Sequence, residues 1–228
     1  MAVTVLLIGV TIFFAISCVV LRSQNKSFEG MICKFMASFS FLSVAIYGNL
    51  VNNGSHLDYF SLICIALLFG LFGDVFLGIK EVAPSFRKKL IPTGTVYFMI
   101  SHIVTIVALS GLYGMAYISI PFFGVGVILA IAVIKLAKMK ISKSLVPALC
   151  IYYGLLVWKI AFSIWLVHQE VNTGNILILI SSVLFIASDS FLGILYFTPI
   201  KRKNLFVTAE LSTYYPAQIL LALSVLFR

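Results

Sequence analysis

The amino-acid sequence predicts an all-α integral membrane protein with eight transmembrane helices, and three observations lead to that fold class. Hydrophobic residues make up 62% of the 228 residues and charged residues only 10%, which is too little polar surface to cover a water-soluble globule. Apolar stretches of about 20 residues, the length of a helix that crosses roughly 30 Å of hydrocarbon, occur repeatedly. Basic residues are confined to alternate connections. We therefore expect one integral membrane domain over 1–228.

The apolar stretches follow one another along the whole chain, separated by short polar connections. Their predicted limits are 3–21, 33–51, 59–79, 93–112, 116–134, 147–167, 175–197 and 207–226. In the last stretch, Glu210, Tyr214 and Gln218 recur at a spacing that places them on one face of a helix. No stretch is polar and long enough for an aqueous domain, so all the chemistry is expected within or beside the bilayer.

Lysine and arginine occur in every odd-numbered connection and in none of the even-numbered ones. The odd connections, with the start of the second span, hold fourteen of them: Arg22, Lys26, Lys34, Lys80, Arg87, Lys88, Lys89, Lys135, Lys138, Lys140, Lys143, Lys201, Arg202 and Lys203. The positive-inside rule then places the basic loops in the cytoplasm and both termini outside. The net charge of +9 reflects this topology and attraction to anionic lipids, and it predicts no nucleic-acid partner because the charges are dispersed.

One short phrase occurs twice, each time inside an apolar stretch. Residues 72–79 read FGDVFLGI and residues 187–194 read ASDSFLGI, which puts Asp74 and Asp189 in register about half a chain apart. We therefore expect two parallel four-helix repeats, 1–114 and 115–228, related by a pseudo-two-fold axis along the membrane normal. Such an axis would bring the two aspartates face to face.

Asp74 and Asp189 are the leading functional candidates, because a carboxylate in hydrocarbon costs several kcal/mol unless it faces protein, water or a partner. Other polar side chains fall in the same cytoplasmic half of the spans and are candidates for a supporting role: His102, Tyr152, Ser188, Tyr214 and Gln218. Each has a structural alternative, such as helix packing or interfacial anchoring. Lys34 suits snorkelling to the interface, and Lys159 could neutralise one aspartate.

The four cysteines, Cys18, Cys33, Cys64 and Cys150, are isolated along the chain. None has a second cysteine or a histidine at ligand spacing, so the sequence predicts neither a metal site nor a disulfide framework. No motif for a cofactor is present, and we expect none to be used.

Four segments carry a resemblance to a known family. They are GDVFLGI in the third span, FMISHI in the fourth, SDSFLGI in the seventh and YYPAQ in the eighth. These segments, with Lys34 before the second apolar run, resemble the signature positions of the lysoplasmalogenase (YhhN-like) family of small eight-helix membrane proteins. The resemblance covers nearly the whole chain. It implies hydrolysis of the vinyl-ether bond of lysoplasmalogens, with a lysophospholipid in the membrane as the partner and no soluble protein partner.

The chemistry that the resemblance implies needs one neutral acid and one negative group. Protonation of the vinyl-ether β-carbon creates an oxocarbenium ion, which water then attacks. Two carboxyl groups in a low-dielectric site cannot both ionise cheaply, so one keeps its proton and the other stays charged. We expect Asp74 and Asp189 to form this pair, with the deeper Asp189 favoured as the acid. The remaining roles are orientation of carboxyl groups or water by His102, Tyr214 and Gln218, and binding of the phosphate by Lys34 with Arg87 or Arg202.

A transporter is the alternative, because intramembrane acids in two parallel repeats also suit a proton-coupled carrier of small molecules or lipids. Three prolines, Pro121, Pro147 and Pro216, lie mostly near helix starts. No pair of broken helices occupies matched positions in the two halves, which favours the hydrolase.

The orientation is testable with reporters fused after Arg228 in a bacterial host. Alkaline phosphatase at that position should be active, because the positive-inside rule places the C-terminus outside. A fluorescent protein that matures only in the cytoplasm should be dark at the same position, and bright fluorescence would contradict the orientation.

Overall fold

The computed structural model describes residues 2–24, 26–54 and 56–228, and within them the chain is helical without a strand. The long helices are α1 Ala2–Ser23, α2 Ser27–Val51, α3 Leu57–Val82, α4 Arg87–Tyr113, α5 Pro121–Leu136, α6 Val146–Gln169, α7 Thr173–Phe197 and α8 Lys203–Leu223. Short 3-10 helices occur at Pro84–Phe86, Tyr117–Ser119 and Ser224–Phe227. The all-α membrane fold class is confirmed.

Seven of the eight long helices in the described part of the chain are long and apolar enough to cross a bilayer. The eighth, α8, is the exception. It carries polar side chains in its middle, and Glu210, Tyr214 and Gln218 are buried inside the bundle rather than facing outward. An interior helix does not need the apolar surface that lipid contact demands, so its lower hydropathy agrees with its position.

Two helices begin six residues earlier than the hydropathy predicts. α2 begins at Ser27 and α4 at Arg87, against predicted limits of 33 and 93. The additional turns contain charged residues, among them Glu29, Lys88 and Lys89. Hydropathy locates the hydrocarbon boundary, whereas a helix can continue beyond that boundary into the polar interface, and this explains the difference.

Neighbours in sequence pack as four pairs, α1 with α2, α3 with α4, α5 with α6 and α7 with α8. α2 also packs on α3, and α6 on α7. Further contacts join the halves, among them α2 with α8 and α4 with α6. If each helix is replaced by the corresponding helix of the other half, so that α2 becomes α6 and α8 becomes α4, the first contact becomes the second and the second becomes the first. The repeat halves 1–114 and 115–228 stay a prediction, and this exchange is the contact pattern that such repeats would produce.

One difference between the halves is important for the site. α1 packs on α8, but α5, which occupies the corresponding place in the second half, makes no close backbone approach to α4 within the described ranges. α5 is held by α6 and by the short helix Tyr117–Ser119. The bundle is therefore open between α4 and α5.

Small residues hold α5 close to α6. A Cβ atom added to Gly126 would lie 2.8 Å from both the Cα atom of Gly154 and the carbonyl oxygen of Tyr153. One added to Gly154 would lie 2.8 Å from the ring of Phe123. Glycine lets the two backbones approach, as small residues do at many membrane helix interfaces.

Gly126→Ala should therefore lower the thermal stability of the purified protein in detergent, by about 1–3 kcal/mol, because the new methyl group has no space against α6. Gly124→Ala is the matched control, since a Cβ atom at Gly124 on the same helix meets nothing within 4 Å. The unfolding midpoint can be followed by the fluorescence of Trp158 and Trp165, both on α6. Equal midpoints for the two variants would contradict this packing.

Candidate functional site

Asp74 is a buried carboxylate with a complete set of partners. Its Oδ1 atom lies 3.0 Å from the Nζ atom of Lys34, and its Oδ2 atom accepts hydrogen bonds from Ser38 at 2.7 Å and from Tyr214 at 2.5 Å. The Nε2 atom of Gln218 donates to the Tyr214 hydroxyl at 2.9 Å. A carboxylate that accepts hydrogen bonds and faces an ammonium group is stabilised in its charged form.

Helical spacing explains how these partners converge. Lys34 and Ser38 are four residues apart on α2, as Tyr214 and Gln218 are on α8, so each pair lies on one face of its helix. On α3, a Cβ atom at Gly73, next to Asp74, would meet the ring of Phe98 at 2.7 Å. The absence of a side chain there lets α4 approach the carboxylate from the other side.

The ion pair continues as a chain of alternating charges. Lys34 is also 3.9 Å from Glu210, whose other oxygen is 3.9 Å from Arg22. Arg22 lies 3.1 Å from Glu81, and Glu81 lies 2.7 Å from Lys80. This charge network, Arg22, Lys34, Asp74, Lys80, Glu81 and Glu210, contains three cations and three anions. It joins α1, α2, α3 and α8 and needs no bound ion to be neutral.

Asp189 has different surroundings. Its Oδ2 atom accepts a hydrogen bond of 2.6 Å from the hydroxyl of Tyr152 on α6. Among the residues that the structure describes, no lysine, arginine or histidine nitrogen lies within 4.0 Å of its carboxyl group. Next to it, the hydroxyl groups of Tyr153 and Ser190 are 2.7 Å apart. Asp189 is thus only partly buried and has no direct cationic partner.

A cavity of about 340 Å³ lies against Asp189, between α4, α5, α6 and α7. It occupies the opening that the missing contact between α4 and α5 leaves. Its apolar walls include Leu77, Ile91, Phe98, Ala130, Val133, Ile134, Met139, Ile141, Leu149, Leu192 and Ile194. Its polar lining is Thr95, Tyr152, Tyr153, Asp189 and Ser190, with Tyr196 near the C-terminal end of α7. Asp189 is the one ionisable carboxyl group among these lining residues. The size and the mostly apolar lining are typical of small-molecule sites.

Behind Tyr152, the polar contacts continue into the bundle. The Nε2 atom of His102 lies 3.3 Å from the Tyr152 hydroxyl oxygen, and the Nζ atom of Lys159 lies 3.2 Å from His102 Nδ1. All three side chains are buried. Tyr152 therefore connects the cavity wall to a histidine and a lysine that do not line the cavity.

The structure brings the two aspartates into neighbouring networks, but no hydrogen bond joins their carboxyl groups directly. The networks share an aromatic wall, in which the Tyr214 ring lies 6.2 Å from Phe98 and 5.8 Å from Phe185. Phe98 lines the cavity, and Phe185 packs edge-on against His102 at 5.1 Å.

Four other candidates lie apart from the cavity lining. Ser188 is buried and donates to the backbone carbonyl of Glu210, so it fastens α7 to α8. Arg87 donates to the carbonyl oxygen of Tyr196 at 2.8 Å, which places its guanidinium group at the edge of the cavity. Arg202 is exposed just before α8. Lys34 is buried on carboxylates rather than snorkelling, although it also lines a small cleft with Arg22 and Glu81.

Sequence reasoning missed Ser38, Tyr153 and Ser190 as parts of the site. The position of Ser38, one turn after Lys34, is the signal that would have found it. The sequence suggests Lys159 as a counter-ion, but it forms no ion pair within 4 Å with either aspartate. The depth of Lys159 in an apolar span is the signal that could have indicated another role. Among the described residues, no three histidine, cysteine or carboxylate side chains come together as metal ligands would, and the four cysteines are free thiols.

Comparison with known proteins gives one match. The model of a protein family described as the YhhN family matches residues 30–225, an interval that includes both aspartates and every other predicted site residue. No curated protein and no solved structure matches the chain.

Lys34→Met should strongly destabilise the protein, because it leaves the Asp74 charge buried without its cation, a change that typically costs about 3–5 kcal/mol. Adding Asp74→Asn should recover part of the loss, since the unpaired charge is then removed. Lys26→Met, at an exposed position just before the same helix, is the control. The measurement is the unfolding midpoint in detergent, and a wild-type midpoint for Lys34→Met would contradict the ion pair.

Proposed function

The chain belongs to the YhhN family, the lysoplasmalogenase family, and from this premise we propose that it is a membrane-embedded hydrolase of lysoplasmalogens. It cleaves the vinyl-ether bond and releases a fatty aldehyde and a glycerophospho-alcohol. The observation that carries the proposal is Asp189, the one carboxyl group among the lining residues of a mostly apolar cavity. An acid in such a place suits a substrate that is mostly hydrocarbon and is activated by one proton.

The reaction begins with protonation of the β-carbon of the vinyl ether. The C=C electron pair forms the new C–H bond, and the resulting oxocarbenium ion carries its positive charge on the α-carbon and the ether oxygen. Water adds to the α-carbon and loses a proton, which gives a hemiacetal. The hemiacetal then breaks its C–O bond to the glycerol oxygen, which takes up a proton, while the other product is the aldehyde.

Asp189 is assigned the role of general acid. It lines the cavity, and among the described residues no cation lies at ion-pair distance from it, so no direct counter-ion opposes its acting as a proton donor. The Tyr152 hydroxyl donates to Oδ2 and so fixes the position of the carboxyl group on the cavity wall. After the first step, the Asp189 carboxylate is placed to accept the proton that the attacking water loses.

Asp74 is assigned the role of the permanent negative charge. Lys34, Ser38 and Tyr214 fix the position of its carboxylate, and its field acts across the Tyr214 and Phe98 rings on the oxocarbenium ion that forms in the cavity. Glycosidases divide the work between two carboxyl groups in a similar way, one neutral and one charged, around an oxocarbenium-like transition state. Gln218 orients Tyr214, and His102 orients Tyr152.

The substrate is expected to lie with its hydrocarbon chain between α4 and α5 and its headgroup toward the basic loops. Arg87, at the cavity edge, is the leading candidate for the phosphate and Arg202 the second, whereas Lys34 is already engaged by Asp74 and Glu210. Because the cavity is reached from the open side of the bundle, a single-chain lipid can enter from the membrane itself.

The assay is aldehyde release from lysoplasmalogen by the purified protein in detergent, with the ester-linked lysophospholipid as control substrate. Asp189→Asn should lower the rate by about 10²–10⁴-fold, because the general acid is lost. Asp74→Asn should lower it as well. Asp58→Asn removes an exposed carboxylate at the start of α3 and should leave the rate unchanged.

Two outcomes would overturn the proposal. Asparagine variants as fast as the wild type would show that the aspartate pair is wrongly assigned. A wild-type protein that releases no aldehyde, but moves a solute across the membrane of a proteoliposome, would favour the transporter instead.

A further inference from the structure

Lys159 is a buried cation without a carboxylate partner. Its side chain is 1% exposed, and among the described residues no Asp or Glu oxygen lies within 4.0 Å of its Nζ atom. Its close contacts are the Nδ1 atom of His102 at 3.2 Å and the ring of Phe185, whose centroid is 4.2 Å away. Because an unpaired ammonium group inside a membrane protein is costly, this position needs a functional reason.

If Lys159 is charged, the hydrogen bonds from Lys159 to Asp189 can run in only one direction. A charged lysine can only donate, so His102 Nδ1 must accept and the ring proton must be on Nε2. Nε2–H then donates to the Tyr152 oxygen, and the Tyr152 hydroxyl donates to Asp189 Oδ2, as the distances of 3.3 and 2.6 Å allow. Each of the four groups has a hydrogen-bond partner within the line in this arrangement.

The reversed arrangement satisfies the same four groups. A neutral lysine accepts from Nδ1–H of His102, Nε2 accepts from the Tyr152 hydroxyl, and the Tyr152 oxygen accepts from a protonated Asp189. The two arrangements differ by one proton, which is on Lys159 in the first and on Asp189 in the second. No net charge enters or leaves the membrane interior when one changes into the other.

We propose that Lys159 is the inner end of a proton relay that sets the protonation of Asp189 through His102 and Tyr152. The inference rests on the proposed function only in taking Asp189 as the acid of the reaction. In the relay, Lys159 Nζ gives a proton to His102 Nδ1, the Nε2 proton passes to the Tyr152 oxygen, and the Tyr152 proton passes to Asp189. Each of the two middle groups gains one proton and loses one.

The relay gives the acid a source of protons that is independent of the cavity. The cavity walls are mostly apolar, so few groups there could carry a proton to Asp189 once a hydrocarbon chain fills the cavity. The proton that the attacking water loses returns to Asp189 and, by the same steps in reverse, to Lys159. The protein therefore ends a turnover in its starting state. Lys159 acts through its neighbours and does not touch the substrate.

The first test reads the relay without any activity measurement. The chain has three histidines, and ¹⁵N-histidine labelling in detergent micelles, with His102→Gln for assignment, identifies the His102 signals. Asp189→Asn cannot be protonated, so it should fix His102 as the Nε2–H tautomer. Lys159→Met should shift the His102 signals as well, because Nδ1 loses its donor. Ser163→Ala, one turn away on α6, removes a buried hydroxyl outside the relay and should leave them unchanged.

The second test is kinetic. Lys159→Met should lower kcat by roughly tenfold to a hundredfold, at or below the lower end of what general acid catalysis contributes, with KM unchanged because Lys159 does not line the cavity. In a His102→Ala background, Lys159→Met should cause no further loss, since the relay is already broken. Ser163→Ala should keep the wild-type kcat, and unfolding midpoints show whether each variant is folded.

Outcomes that overturn the relay are distinct from those that overturn the function. His102 signals that respond to neither Asp189→Asn nor Lys159→Met would show that the ends are not connected. Losses of kcat that multiply in the double variant would show that Lys159 and His102 act independently. A wild-type protein without aldehyde release would refute the proposed function, whereas the histidine spectra would still decide on the relay.

Discussion

The cost of placing charge inside the membrane determines the arrangement of this bundle. Asp74 is tolerated because Lys34 lies at ion-pair distance, and Lys34 is tolerated because Asp74 and Glu210 face it. Four helices supply the charge network, so their positions depend on one another. α8 can carry a polar face through the membrane because that face is turned to these groups. Removing one partner exposes the others to hydrocarbon without compensation.

The two halves of the chain use corresponding places differently. In the first half, α1 closes on α8, and the space near Asp74 is filled by side chains that neutralise one another. In the second half, α5 remains apart from α4, and the corresponding space near Asp189 is a cavity with apolar walls. Asp74 is therefore enclosed by ion-pair and hydrogen-bond partners, whereas Asp189 borders a cavity and, among the described residues, has no cation within 4.0 Å. In the proposed function, this difference separates the stabilising charge from the acid.

Much of the fold follows from the sequence. Hydropathy locates the spans, and the alternation of basic and non-basic loops supports their number. Asp74 and Asp189 are recognisable, since acids are rare in such spans, and the spacing of Tyr214 and Gln218 shows their common face. The rotation of each helix is not encoded in a hydropathy profile, so the cavity between α4 and α5 could not be predicted. For the same reason, the sequence places Lys34 at the interface rather than in an ion pair with Asp74. The line of hydrogen bonds from Asp189 through Tyr152 and His102 to Lys159 could not be predicted either.

The central claim is that a lipid chain in the cavity presents its reacting carbon to Asp189. An experimental structure with a non-hydrolysable ether analogue of a lysoplasmalogen tests it most directly. The account predicts the hydrocarbon chain between α4 and α5, with the carbon that corresponds to the β-carbon about 3–3.5 Å from a carboxyl oxygen of Asp189, the separation of reacting atoms in a near-attack geometry. An analogue bound elsewhere, or a carboxyl group turned away from that carbon, would contradict the account.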